Sequence, residues 1–210
     1  MNWTWFHRLG SPKWFYGISG RWLPLLAIAA LLLIATGLVW GLAIAPADYQ
    51  QGNSFRIIYI HVPAAFLAQS IYVSMAICGV VGLVWKMKIA DVALQQSAPI
   101  GAWMAFVSLL TGAIWGKPMW GTWWEWDPRL TSFLILFLFY LGYMALWSAI
   151  DDPDTAADLT GVLCLVGSVF ALLSRYAVNF WNQGLHQGSS FLRIAALGGD
   201  SAERVSNVFF

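Results

Sequence analysis

Histidine and tryptophan are the side chains of this chain whose type and spacing indicate chemistry. His61 lies in the run RIIYIHVPAAF and His186 in WNQGLHQGSS. A lone histidine of this kind most often hydrogen-bonds water or backbone, but two imidazoles can bind iron above and below a planar macrocycle. A zinc site would need further Cys, Asp or Glu ligands, and none is suitably spaced beside them. We therefore interpret His61 and His186 as candidate axial ligands of haem iron, and His7 as an ordinary surface imidazole.

Tryptophan is concentrated in one short segment, WGKPMWGTWWEWDPR, which runs from Trp115 to Arg129. Five tryptophans there lie within twelve residues. An aromatic belt at a membrane surface is one explanation, although a belt needs only one or two per helix end. A helix over residues 120–127 would place Trp120, Trp123 and Trp124 on one face, with Asp127 at its end. Such a platform suits a large planar ligand, and the residues alone favour the belt and the platform equally.

Two arginines border the segments that hold these candidates. Arg56 and Arg129 can pair with carboxylates such as haem propionates, although each alone is more typical of a cation anchored at lipid headgroups. Cys78 and Cys164 lie far apart in apolar runs and form no CxxC, so packing is their expected role. The sequence contains no nucleotide-binding, GxSxG or HExxH motif, and we predict no catalytic residue.

The composition indicates which elements must position these residues. The chain has 210 residues, 60% of them apolar and 10% charged, with a net charge of +1. Soluble domains carry about 25% charge, so this is a membrane protein, and the neutral balance excludes a nucleic-acid binder held by a basic surface. Five uncharged runs are long enough to cross a bilayer core of about 30 Å. They predict an all-α, polytopic bundle with spans at 22–45, 60–85, 96–115, 130–150 and 159–178, in a single membrane domain over 1–210 with a polar tail at 191–210.

Orientation follows from the basic residues at the span ends. Cytoplasmic loops are enriched in Lys and Arg. Arg8, Lys13 and Arg21 precede the first span, and Lys86 and Lys88 follow the second. We therefore expect the N-terminus in the cytoplasm, and His61, His186 and the tryptophan-rich segment on the outer side.

The motif WGTWWEWD, together with the two outer histidines, resembles the haem-handling protein family that carries a WGxxWxWD signature. Within it, the chain is most similar to the haem exporter protein C (CcmC) family of System I cytochrome c maturation. The matching stretches are 45–65, 98–102, 111–132 and 185–190. That family has six spanning helices, so the resemblance implies that the last is missing from the five predicted here.

The resemblance also implies a function and a site. Members of the family are not enzymes: they bind non-covalent haem b through two axial histidines and deliver it to the haem chaperone CcmE. The implied partners are CcmE, the small membrane protein CcmD and the ABC transporter subunits CcmA and CcmB, in the bacterial inner membrane with the haem on the periplasmic side. The implied haem contacts are His61, His186, Trp120, Gly121, Trp124, Trp126, Asp127, Arg56 and Arg129. The alternatives are a haem-containing electron-transfer subunit and a structural subunit of an ABC-type complex.

Overall fold

Five long helices make up the computed structural model, which describes the backbone of residues 10–180 and side chains up to residue 176. The helices are α1 (Pro12–Val39), α2 (Ile58–Trp85), α3 (Lys88–Trp120), α4 (Pro128–Ala149) and α5 (Pro153–Phe180). All five are long and apolar enough to cross a membrane, and residues 10–180 contain no β-strand. The predicted all-α architecture with five spanning helices is confirmed.

Several helices extend beyond the predicted spans. α1 begins at Pro12 rather than residue 22, with Ser11 at its N-cap and the proline in its first turn. α3 has 33 residues rather than the 20 predicted over 96–115. At 1.5 Å per residue, α3 is about 50 Å long and exceeds a hydrocarbon core of about 30 Å. The length of an apolar run indicates only the part of a helix that lipid covers. The helix itself continues through polar residues until a capping residue ends it.

Helices α2 to α5 form the packed bundle. α2 lies against α3 and α5, and α4 packs against the same two helices. The α2–α5 contact is close because two glycines face each other: a Cβ on Gly79 would lie 3.3 Å from the carbonyl oxygen of Gly161. Small residues at such crossings let helix backbones approach within the membrane.

Three buried tyrosines fill the middle of this bundle. Tyr72, Tyr140 and Tyr143 are almost completely excluded from the surface. The rings of Tyr72 and Tyr140 meet edge to face with centroids 4.9 Å apart, and Tyr140 Oη donates a 2.7 Å hydrogen bond to the Ala68 carbonyl. Gly101 leaves room for the Tyr140 ring, because a Cβ there would overlap it. Large rings and glycines therefore interlock α2, α3 and α4.

Helix α1 lies apart from the bundle core, and no residue of Pro12–Val39 is buried. It contacts the bundle where it continues into a π-helical turn, Trp40–Ile44. There the ring of Tyr59 lies over Gly41, where an added Cβ would approach Tyr59 Cγ to 2.6 Å. The end of α1 is thus fixed beside the start of α2.

Ion pairs at the opposite end of α2 join the turn between α2 and α3 to the start of α5. Lys86 bonds Asp158 at 2.7 Å, and Lys88 pairs with Asp154. Asp152 accepts hydrogen bonds from the Thr155 hydroxyl and amide at the start of α5. These bonds stabilise the ionised carboxylate, and they lower the pKa of Asp152 below its usual value.

Candidate functional site

His61 is the fourth residue of α2, which follows directly on a 3₁₀ turn over Asn53–Ile57. Prolines are common in the first turn of a helix, but Pro63 is the sixth residue of α2 and lies inside it. The 3₁₀ turn starts the helix earlier than the proline indicates. His61 is consequently held on a helix rather than in the preceding loop.

The imidazole of His61 is oriented by α3. Its Nδ1 lies 2.9 Å from the carbonyl oxygen of Ser108 and 3.2 Å from Oγ1 of Thr111. A carbonyl oxygen only accepts hydrogen bonds, so Nδ1 carries the proton and, in the neutral ring, Nε2 carries the lone pair. Histidines that bind metals characteristically donate their other ring N–H to such an acceptor. The ring is therefore in the tautomer that an Nε2 ligand requires.

Two further residues of α3 shape the space around this ring. A Cβ added to Gly112 would approach His61 Cε1 to 2.9 Å, so the glycine provides the room in which the imidazole lies. The Trp115 ring meets the imidazole edge to face at 5.9 Å. Trp115 is itself held by a 3.0 Å hydrogen bond from its Nε1 to Oε1 of Gln51. The imidazole is thus enclosed by groups that are fixed in turn.

Residues 121–127 of the tryptophan-rich segment form a loop rather than the helix considered for residues 120–127. α3 ends at Trp120, and Gly121 adopts φ +78°, with its N–H bonded to the Lys117 carbonyl at 3.1 Å. Left-handed glycine is a common helix terminator. Because the chain turns there, Trp123, Trp124 and Asp127 do not share a helical face with Trp120.

The loop ends at a buried carboxylate, Asp127, which caps α4. Its Oδ1 accepts a 2.6 Å hydrogen bond from the Leu130 amide. Within the loop, Trp124 lies edge to face with Trp126 at 5.6 Å, and its buried Nε1 has no hydrogen-bond acceptor among the described residues. Trp126 is 73% exposed. The loop therefore combines an exposed indole surface with an unsatisfied N–H.

The two arginines differ in their surroundings. Arg56 donates from Nη1 to the Leu42 carbonyl at 2.9 Å and from Nη2 to the Ala45 carbonyl at 2.8 Å, where α1 ends. Arg129 is half-buried in the first turn of α4. Arg56 thus fastens α1 to the start of α2, while the pairing of either arginine with a propionate stays a prediction.

Comparison with known proteins places this arrangement in a family. The family model described as CcmC, heme exporter protein C, matches residues 5–203. The chain belongs to the heme exporter protein C family.

The relatives that carry the name heme exporter protein C include the following three. The protein of Paracoccus denitrificans is 61% identical over 86% of this chain and 74% of its own length. That of Rhodobacter capsulatus is 56% identical over 95% of this chain and 80% of its own length. That of Escherichia coli K12 is 52% identical over 90% of this chain and 76% of its own length. The resemblance drawn from the tryptophan-rich motif is confirmed.

For this member of the heme exporter protein C family, the described residues contain only part of the predicted site. His186 and His7 lie outside them, so the pairing of His61 with His186 stays a prediction. No group of three or more His, Cys, Asp or Glu that could hold a metal occurs among the described residues. Cys78 and Cys164 carry free thiols.

The residues that orient His61 were missed in the sequence. Ser108, Thr111, Gly112 and Trp115 follow the spacing i, i+3, i+4 and i+7, which places them on one helix face. The sequence did contain a signal for these residues. It was one face of a spanning helix, in its outer part, that carries a hydroxyl, a glycine and an indole. Only the fold shows that His61 faces it.

Proposed function

We propose that this chain binds haem b non-covalently at the outer face of the membrane and delivers it to a haem chaperone for cytochrome c maturation. His61 and His186 are the axial ligands, and the protein is not an enzyme. The 2.9 Å bond from His61 Nδ1 to the Ser108 carbonyl carries this proposal, because it prepares Nε2 for an iron. Membership of the heme exporter protein C family and the names of its relatives support haem as the ligand.

The chemistry of the described residues fits haem. Haem would bring a planar apolar ring with two axial positions on its iron and propionates at one edge. Trp124 offers a buried N–H that no described residue accepts, and Trp120 and Trp126 offer exposed indole surface. In our proposal the macrocycle contacts Trp120 at the end of α3 and Gly121, Trp124, Trp126 and Asp127 in the loop. Arg56 and Arg129 pair with the propionates.

The surroundings of the site follow from the topology. We place the N-terminus in the cytoplasm, which puts the start of α2 and the loop between α3 and α4 on the periplasmic side of the bacterial inner membrane. There haem is accessible to the chaperone CcmE. CcmD and the ABC transporter subunits CcmA and CcmB are the proposed partners in the membrane.

The test compares absorption spectra of the detergent-purified full chain from haem-replete cells. We expect the wild type to show a Soret band and visible bands of low-spin, six-coordinate haem. His61→Ala and His186→Ala should each weaken and shift these bands, because each removes one axial ligand. His7→Ala is the matched control, since it removes an imidazole expected on the cytoplasmic side, and its spectrum should equal that of the wild type.

Two results would contradict the proposal. One is a wild-type spectrum without haem after the purified protein is supplied with ferric haem b. The other is a low-spin spectrum that survives both the His61→Ala and His186→Ala substitutions.

A further inference from the structure

We propose that Thr111 is a positioning residue for His61, and that its hydroxyl oxygen controls how strongly the imidazole donates electrons to a bound iron. Thr111 does not touch the ligand position and acts only through the Nδ1–H of the ring. The inference rests on the proposed haem function for its consequence, whereas the hydrogen-bond arrangement itself is independent of haem.

The hydrogen bonds of Thr111 fix the direction of its oxygen lone pairs. Its hydroxyl lies 2.7 Å from the Val107 carbonyl one turn back and 3.2 Å from the Ser108 carbonyl, and it donates to the closer oxygen, that of Val107. With this proton committed, the oxygen at 3.2 Å from His61 Nδ1 acts as an acceptor. The Nδ1–H is therefore shared between two oxygens, those of Thr111 and Ser108.

The Ser108 carbonyl supplies an acceptor that no side-chain substitution removes. As in any α-helix, this oxygen also accepts the amide of Gly112, and the imidazole uses its second lone pair. Ser108 is 2% exposed, so water does not compete for the bond. Of these two acceptors, Thr111 is consequently the one that can be altered while the tautomer is retained.

Acceptors on Nδ1–H increase the negative charge on the imidazole and strengthen its donation from Nε2. A stronger axial donor favours ferric over ferrous iron, and such outer partners tune both orientation and basicity of the ligand. Removing the Thr111 oxygen should therefore shift the redox equilibrium toward ferrous haem without removing a ligand.

The first experiment measures the midpoint potential of haem in the purified full chain by spectroelectrochemistry. Thr111→Val keeps the shape of the side chain and removes the oxygen. It should lower the ferric preference by up to about tenfold, which corresponds to a rise of about 59 mV for a one-electron couple. Thr111→Ser restores a hydroxyl and should return the potential toward the wild type. Thr36→Val, the same substitution on the exposed surface of α1, is the matched control and should change nothing.

The second experiment uses haem-free protein with ¹⁵N-labelled histidine, in which NMR reports the protonation of each ring nitrogen. We expect the proton on Nδ1 of His61, and Thr111→Val should shift that resonance while Thr36→Val does not. A proton on Nε2, or an unmoved Nδ1 resonance in Thr111→Val, would overturn the inference even if the wild type binds haem. If the expected NMR result accompanies a wild type that binds no haem, the arrangement is correct and the proposed function has failed. An unchanged potential in Thr111→Val would overturn the tuning role.

Discussion

At His61, the decisive partner is a backbone carbonyl from a helix 47 residues further along the chain. Sequence patterns identify an imidazole as a candidate ligand from its type, but its tautomer depends on the acceptor that the fold brings to Nδ1. Ser108 and Thr111 provide this acceptor pair, and Gly112 provides the space. The role of His61 and the roles of the α3 residues that orient it can therefore be tested by separate substitutions.

Gly112→Ala tests whether the His61 ring needs the space beside Gly112, and it removes neither hydrogen-bond acceptor of Nδ1. The new Cβ would lie 2.9 Å from His61 Cε1, so the ring must move and its Nδ1 contacts with α3 must lengthen. We expect a weakened low-spin haem spectrum and at least a tenfold loss of haem affinity, as is typical when the outer support of a metal ligand is removed. The measurement is titration of haem-free protein with ferric haem b.

Gly142→Ala is the control for this substitution. Gly142 lies inside α4, and a Cβ there meets nothing within 4 Å. Alanine stabilises an unobstructed helix position by roughly 0.5–1 kcal/mol relative to glycine, so this variant should bind haem normally and unfold no earlier. Equal haem affinity in both variants would show that Gly112 does not provide the space for His61.

At the scale of the elements, the chain changes direction between α3 and α4 through two caps. Gly121 ends α3 in a left-handed conformation, and Asp127 with Pro128 starts α4. Both signals are readable in the sequence, since glycine follows helix ends and aspartate followed by proline precedes helix starts. The tryptophan spacing alone is compatible with a helix over residues 120–127, whereas these two caps indicate a turn there. The five spans were predictable from hydropathy, and the ends of α2 and α4 lie within two residues of those predicted. By contrast, α1, α3 and α5 begin well before the predicted residues, because these helices continue through sequence outside the uncharged runs.

The capping of α4 by Asp127 can be tested separately from any role of its negative charge in binding haem. Asp127→Ala should destabilise the protein by about 0.5–2 kcal/mol, because the Leu130 amide loses its acceptor. Asp127→Asn keeps a side-chain oxygen that caps equally well, so its stability should match the wild type. Unfolding followed by circular dichroism in detergent measures both.

The haem spectrum of the Asp127→Asn variant then reports on the charge alone. A normal spectrum would limit Asp127 to capping α4, and a lost spectrum with unchanged stability would support the predicted haem contact. If Asp127→Asn were as unstable as Asp127→Ala, the capping explanation would be wrong.

For the whole molecule, the stability of the bundle arises within the membrane-spanning part rather than from the charged loops. The Lys86–Asp158 pair is at least half-exposed on both sides. Exposed pairs of this kind contribute little, because water screens them and two long side chains must be ordered. By contrast, Tyr140 is fully buried, and its ring occupies the space that a side chain on Gly101 would need. Interlocked rings and glycines hold the helices at fixed distances, and the His61 site depends on the α2–α3 distance in particular.

Gly101→Ala should therefore destabilise the bundle, whereas removal of the two ion pairs should not. The added methyl group displaces the Tyr140 ring, at a cost of about 1–3 kcal/mol typical of an overfilled core. The double substitution Lys86→Gln with Lys88→Gln removes the cation of each ion pair and should leave the unfolding midpoint unchanged. Thermal unfolding of the three proteins in the same detergent, at low and high salt, is the measurement. A larger loss in the lysine variant, or a midpoint of the wild type that falls with salt, would place the stability in the charged loops instead.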